Sequence, residues 1–533
     1  MAVTDILKAD VTDLLFRDVR KFSQSSGKTT SDLLKVDVTD ILFRDVRNLT
    51  KPSGRGTKKG PAIDWLAGTE SAVREKAAHE VSERLADALA REHDAGKRLW
   101  ILLGCEDAIS ELLATIEAAT ETAELPLSPG AQQLALGADS LLKALGIAYG
   151  RLAEATDAQT GKSHLEDVIQ PATTHALRIL GRRQMLAYCA GVTASAASWK
   201  VLHDLYALAR RDNFATVADG QSPVAHEYLT ALMLAMVDPG RLTREQLAPV
   251  REFIAAKVPN VSLTDAPAYK GDGSASGMFW LLAGRGRNGH GLSRLPEDNT
   301  LPKEGYVIDC TEFIKALEQC IEDGSEEATL PADTLRLLRD TLVGTPAARR
   351  FPRTQFMPRA DLVIGFKEVV GMFSGRGNGN AAADHNDPAS GEWSIVNESP
   401  DGYGIKHVGT NQPRLEIGDL VVLRPREKNQ PCVCLVRRIS NAAGSFEIGL
   451  QLLCAQAAIV DMPSEDITAF GQQVILLPHL PGFGNAAGVI ATTGTLKPHT
   501  VISHALDGAR KQFKLGSRVS NSSAIEFHLL QAA

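Results

Sequence analysis

Cysteine contributes little to the architecture of this chain. Seven cysteines are spread over 533 residues at positions 105, 189, 310, 320, 432, 434 and 454, odd in number and without C-x-x-C spacing. That excludes a disulfide framework and a zinc ribbon, and it fits a reducing compartment. Cys432 and Cys434 share one face of a predicted strand, where they read as packing residues. Long apolar runs are missing too: none approaches the ~18 residues of a membrane span. Asp5 and Asp10 interrupt the first apolar stretch, which is wrong for a signal peptide, so the expected location is cytoplasmic, without membrane insertion.

The signatures of common catalysis are also lacking. There is no G-x-S-x-G, no H-E-x-x-H and no P-loop lysine. His79, His93, His164, His175, His203 and His226 form no H-x-x-x-H pair, so no metal is expected there. Gly284 to Gly289 fits G-x-G-x-x-G, but two prolines and no helical period follow, which fails the context a dinucleotide fingerprint needs. Asp384-His385-Asn386-Asp387 gathers polar groups inside the Gly/Asn-rich tract 374–391, without the rigid support catalysis requires. No catalytic residue, cofactor or enzymatic role is expected. A net charge of −7 argues against a general affinity for nucleic acid, although local arginine clusters remain able to hold an anion.

What the chain does hold begins with a duplication. Thr4 to Arg20 (TDILKADVTDLLFRDVR) and Ser31 to Arg47 (SDLLKVDVTDILFRDVR) match at 13 of 17 positions. Leu7, Val11, Leu14 and Leu15, like Leu34, Val38, Ile41 and Leu42, follow helical spacing, and Phe16 and Phe43 widen each stripe. Linkers of SQSSGK and TKPSGRGTKKGP composition separate and follow the copies. Two short amphipathic elements on such tethers form no core. They read as docking motifs for at least one protein partner, through Leu14, Leu15, Phe16, Ile41, Leu42 and Phe43. The alternative is packing on the chain's own helices. Two weak motifs on one chain raise avidity without any new contact.

Five regions are expected: the duplicated motifs (1–58), an α-helical domain of antiparallel hairpins (59–257), a small mixed α/β connection (258–342), a β-barrel (343–460) and a β-rich extension (461–533). The fold class is thus multidomain α plus β. Trp199, Leu202, Leu205, Tyr206 and Leu208 share one face of a predicted helix. The hairpins show no period of about 34 residues, so no repeat family is assigned to them.

Trp393 to Leu453 reads as four or five short strands that close on themselves. Near the start stands Asn397-Glu398-Ser399-Pro400-Asp401-Gly402, an N-x-S-x-x-G turn. Upstream lies Arg349-Arg350-Phe351-Pro352-Arg353, which contains R-x-x-x-R. Leu415 to Leu423, with its Gly418-Asp419, Cys434 to Arg438 and Phe446 to Leu452 supply the strands. In this order the pieces resemble the PilZ family of bacterial cyclic di-GMP receptors, over roughly 343–455. The resemblance implies an antiparallel β-barrel and a cyclic di-GMP site made of Arg349, Arg350 and Arg353 with Asn397, Ser399 and Gly402. The interval from Arg353 to Asn397 is longer than the family's usual one, and holds a predicted extra strand over Ala360 to Phe373.

An arginine forks onto phosphate oxygens or a guanine edge and stacks on a purine, which lysine does less well. The expected function is a receptor that couples nucleotide binding to contacts of the helical body and the N-terminal motifs. By analogy with the family its output is motility, pilus, secretion or exopolysaccharide control. A ligand-independent adaptor with a degenerate barrel is the alternative.

Overall fold

A computed structural model of the chain describes residue 85 and residues 89–532, apart from 218–219, 269–276, 283–291, 295–304, 324–329, 344–357, 375–390, 410–412, 428–429, 443–444, 463–471, 498–500, 507–508 and 522–523. The duplicated motifs, Arg349, Arg350, Arg353, Gly284 to Gly289 and Asp384 to Asp387 therefore lie outside the described residues. The chain divides into two compact units. One runs to Pro346; the other holds 347–533 together with the short segments 124–126 and 240–243.

Among the described residues the first unit opens with α1 (Ala95–Thr122), α2 (Pro129–Thr160), α3 (Gln170–Cys189), α4 (Ala196–Arg211), α5 (Pro223–Met236) and α6 (Arg244–Lys257). Local chemistry sets their starts. Asp94 accepts from the Lys97 backbone N–H, Ser195 from Ser198 and Ser222 from Ala225, with Pro223 opening α5. On α4 the predicted face is the buried one: Trp199, Leu202, Leu205, Tyr206 and Leu208. Arg183 of α3 forks onto the Asp139 carboxylate of α2 at 2.7 and 3.1 Å, and Arg182 onto Glu117 of α1 at 3.1 and 2.9 Å. Strands β1 (Ser262–Asp265), β2 (Met278–Leu281), β3 (Leu292–Arg294) and β4 (Tyr306–Asp309) form a sheet in the order β1-β4-β2-β3, followed by α7 (Thr311–Asp323) and α8 (Ala332–Val343). Among the described residues no helix is long and apolar enough to cross a membrane.

The second unit opens with β5 (Arg359–Ile364) and α9 (Phe366–Phe373). The single strand expected over Ala360 to Phe373 is thus corrected: Gly365, at φ +103°, ends the strand and starts a helix. Nor is β5 an extra strand. It pairs with β8 (Leu420–Pro425) on one side and β6 (Gly391–Ser399) on the other, closing the barrel. With β7 (Gly402–His407), β9 (Cys432–Ala442) and β10 (Ser445–Cys454), the barrel is a six-stranded antiparallel ring in the order β8-β9-β10-β7-β6-β5. Trp393, Ile395, Ile405, Cys434, Phe446, Ile448 and Leu450 are buried, consistent with the inward parity of closed strands.

The opposite parity is apolar on one side only. Leu420, Val422, Val433 and Leu435 share a core with α9 and with a second sheet. That sheet holds β11 (Ala458–Asp461), β12 (Gln473–Leu480), β13 (Ala486–Thr492), β14 (Val501–Leu506), β15 (Ala509–Asn521) and β16 (Ile525–Ala532), in the order β11-β12-β13-β16-β15-β14. Ile475, Leu477, Ile490 and Phe527 are its contribution to the shared core. Multidomain α plus β is the observed class.

A glycine-floored cavity on the barrel wall

The N-x-S-x-x-G stretch forms the β6–β7 hairpin. Asn397 lies opposite Gly404 and Ser399 opposite Gly402, with Pro400 and Asp401 at the bend. The Ser399 hydroxyl donates to the Gly402 carbonyl at 3.2 Å, and the Leu452 N–H donates to the Asp401 carbonyl at 3.0 Å, tying the bend to β10. Gly402 is required sterically: a Cβ there would stand 1.9 Å from the Leu450 carbonyl oxygen. The chain makes this hairpin because only a residue without a side chain lets β7 approach β10 at that point.

One register row crosses four strands: Asn397, Gly404, Gly449 and Arg438. Two of those positions carry no side chain, and the next row adds Gly402 beside Gln451. The wall here has no side chain of its own at Gly404 and Gly449, between an amide–hydroxyl edge (Asn397, Ser399) and a cationic edge (Arg437, Arg438). Asn397 lies over Gly404, where a Cβ would come within 2.6 Å of its amide. A cavity of about 460 Å³ opens on this floor, within the range of small-molecule sites.

Arg437 enters through an irregularity. The β9–β10 register shifts between Val436 and Arg438, so Arg437 is the extra residue of a bulge. Its Nε donates to the Gln451 Oε1 at 2.7 Å, and both residues line the cavity. Bulges re-aim side chains in this way. Burial lowers the Arg437 pKa, and the charge of Arg241, in segment 240–243 of the same unit, adds to the shift.

Behind the floor, burial lowers the pKa of His407, whose ring meets Trp393 edge-on at 5.1 Å. Asp419 accepts from the Glu416 N–H at 2.7 Å, yet burial holds its pKa above the ordinary carboxylate value. Cys432 and Cys434 are both buried, and Cys434 is raised by burial first and by Cys432 second. Packing accounts for them.

Thus Asn397, Ser399 and Gly402 come together at one hairpin, while the three arginines expected beside them lie outside the described residues. Gly404, Gly449, Arg437 and Gln451 also line the cavity, and no sequence motif marks them. The glycines carry no motif of their own, and nothing in Val436-Arg437-Arg438 announces a bulge.

Two other features compete for attention. A larger cavity, about 830 Å³, opens in the helical unit beside Leu89, Ile147 and Leu152, edged by Arg98, Lys143 and Arg151. Its described lining has no carboxylate, amide or imidazole, so it lacks a converging polar set. Glu106 meets Tyr149 Oη and His175 Nδ1 at 2.8 Å each and Arg178 at 3.2 Å. Burial raises its pKa, but the hydrogen bonds from His175 and Tyr149 and the charges of His175 and Arg178 together leave it lowered. These partners satisfy one another and pin α1, α2 and α3 together. Among the described residues no cluster of three or more metal-ligating side chains occurs.

The geometry agrees with what known families contain. Residues 61–268 match the family model for the N-terminal domain of the cyclic-di-GMP receptor FimW. Residues 367–458 match that for its middle PilZ domain, and so cover the hairpin, the glycine floor and Arg437. No curated protein matches the chain. The two domain models come from one kind of receptor, follow each other in order, and together span more than half of the sequence. The chain therefore belongs to the PilZ-containing family of FimW-type cyclic-di-GMP receptors.

Proposed function

We propose that this protein binds cyclic di-GMP on the outer wall of its barrel and passes the binding event to protein contacts of the helical unit and the N-terminal motifs. The glycine floor between Asn397 and Ser399 on one edge and Arg437 and Arg438 on the other carries this reading. A flat purine needs bare backbone to lie on, and phosphates need forked cations. Arg349, Arg350 and Arg353 supply further cations from the segment before β5. The amide of Asn397 donates to the ligand's polar edges, the hydroxyl oxygen of Ser399 accepts from them while its hydrogen stays on the Gly402 carbonyl, and Gly402 lets β7 lie close to β10.

Coupling to a partner follows if the ligand favours one arrangement of the chain over another, by no more than its difference in affinity for the two. The duplicated motifs, through Leu14, Leu15, Phe16, Ile41, Leu42 and Phe43, are the proposed docking elements. Motility, pilus, secretion or exopolysaccharide control is the proposed output.

Isothermal titration of the full chain with cyclic di-GMP is the test. Saturable binding is expected, weakened about tenfold or more in Arg353→Ala and in Asn397→Ala, as loss of a charge-assisted or buried hydrogen bond implies. No heat from the unsubstituted chain would leave a ligand-independent adaptor as the function.

A further inference from the structure

We infer that Arg437 is a ligand-contacting residue of the barrel, and that its guanidinium, oriented by Gln451, seats a phosphodiester of the nucleotide. The inference rests on the cyclic di-GMP reading and adds a second phosphate-binding element, separate from the arginines before β5.

Position comes first. The bulge turns Arg437 onto the cavity side of β9, while its neighbours Val436 and Ile439 are buried. Gln451 sits on β10 two residues beyond Gly449, and its Oε1 takes the Nε hydrogen at 2.7 Å. That single bond fixes the plane of the guanidinium and leaves both terminal nitrogens uncommitted among the described residues. A planar fork held from behind is the geometry that grips two oxygens of one phosphate.

Charge comes second. A half-buried cation ordinarily recovers its lost hydration from a carboxylate. Among the described residues Arg437 has none: the cavity's acids, Asp401 and Glu447, line it without either forming an ion pair with Arg437. Elsewhere in this unit arginines are paired, as Arg424 and Arg426 are with Asp361 at 3.2 and 2.9 Å. The chain thus spends desolvation on one cation and supplies a neutral amide as its partner. An incoming anion completes the set, and the cavity of about 460 Å³ that Arg437 and Gln451 line leaves room for it to come close.

Opposite signs on affinity and stability make this testable with the full chain. Cyclic di-GMP is titrated calorimetrically at low and high salt into the unsubstituted protein, Arg437→Gln and Gln451→Glu, and each is unfolded thermally without ligand. The first substitution removes the seat; the second fills it with a carboxylate while keeping the arginine. Both are expected to weaken binding at least tenfold and to flatten its salt dependence. Gln451→Glu is also expected to raise the melting temperature, because the cation gains its ion pair. A purely structural Arg437 would instead lower melting temperature in Arg437→Gln and leave the salt dependence of binding unchanged, which overturns the inference. Equal affinity in all three proteins also overturns it, with the nucleotide reading intact. Absence of binding by the unsubstituted protein overturns both.

Discussion

Gly402 is the position where the hairpin has no tolerance. An added Cβ would lie 1.9 Å from the Leu450 carbonyl, a backbone atom that no rotamer change moves aside. Gly402→Ala is expected to cost about 2–4 kcal/mol, since β7 and β10 must separate or the backbone strain. Gly482 provides the contrast. Nothing lies within 4 Å of its missing Cβ, so Gly482→Ala should stay within about 0.5 kcal/mol. Urea unfolding midpoints of the two variants make the comparison. His407 tests burial in another way. Its folded pKa lies below the ordinary 6.5 because burial disfavours the imidazolium. The unfolded chain therefore binds the proton first, and stability falls as pH drops below about 6.5 until the folded pKa is reached. Unfolding midpoints measured from pH 7.5 to 5 should decline, and His407→Phe should decline less. Parallel slopes in the two proteins would show that His407 contributes nothing to the acid sensitivity.

At the scale of elements, the barrel is not self-sufficient. One side of its outer wall, Leu420, Val422, Val433 and Leu435, has its cover in the second sheet through Ile475, Leu477, Ile490 and Phe527. Phe527 is fully buried in that shared core and also meets Phe483 edge-on at 5.9 Å. Phe527→Ala should cost about 3–5 kcal/mol, and barrel and sheet should still unfold in one transition. A barrel transition separated from that of its sheet would show independent cores. The same apolar parity explains how much of these elements was legible. Strands with strict alternation, such as Phe446 to Leu452, stand out in the sequence, and so do amphipathic helices such as that carrying Trp199 and Tyr206. The run from Ala360 to Phe373 misled because its apolar residues continue through Gly365, and only the φ of +103° there divides strand from helix. Strand β15 (ARKQFKLGSRVSN) was not legible at all. Register shifts at Leu515 to Ser520 break its period, and polar residues alternate with few apolar ones. The site divides along the same line. The hairpin half is local and carries its own turn chemistry. The Arg437 half depends on a bulge and on a cross-strand partner fourteen residues away, which sequence order does not bring together.

For the whole molecule, the proposed receptor role makes a thermodynamic demand beyond binding. The chain has two compact units, and the proposed nucleotide site belongs wholly to the second. A ligand that binds only folded protein stabilises it by RT ln(1 + [L]/Kd), about 2.7 kcal/mol at a hundredfold excess over Kd. If the units unfold independently, calorimetry of the full chain should show two transitions, and saturating cyclic di-GMP should raise only the one that belongs to the barrel and its sheet. A receptor that hands the event on cannot behave so simply, because coupling between two sites is reciprocal: whatever the ligand does to the helical unit, the helical unit does to ligand affinity. The expected outcome is therefore a shift of both transitions, or their merging into one. A helical transition that stays in place would confine the nucleotide's effect to the barrel and place the output there.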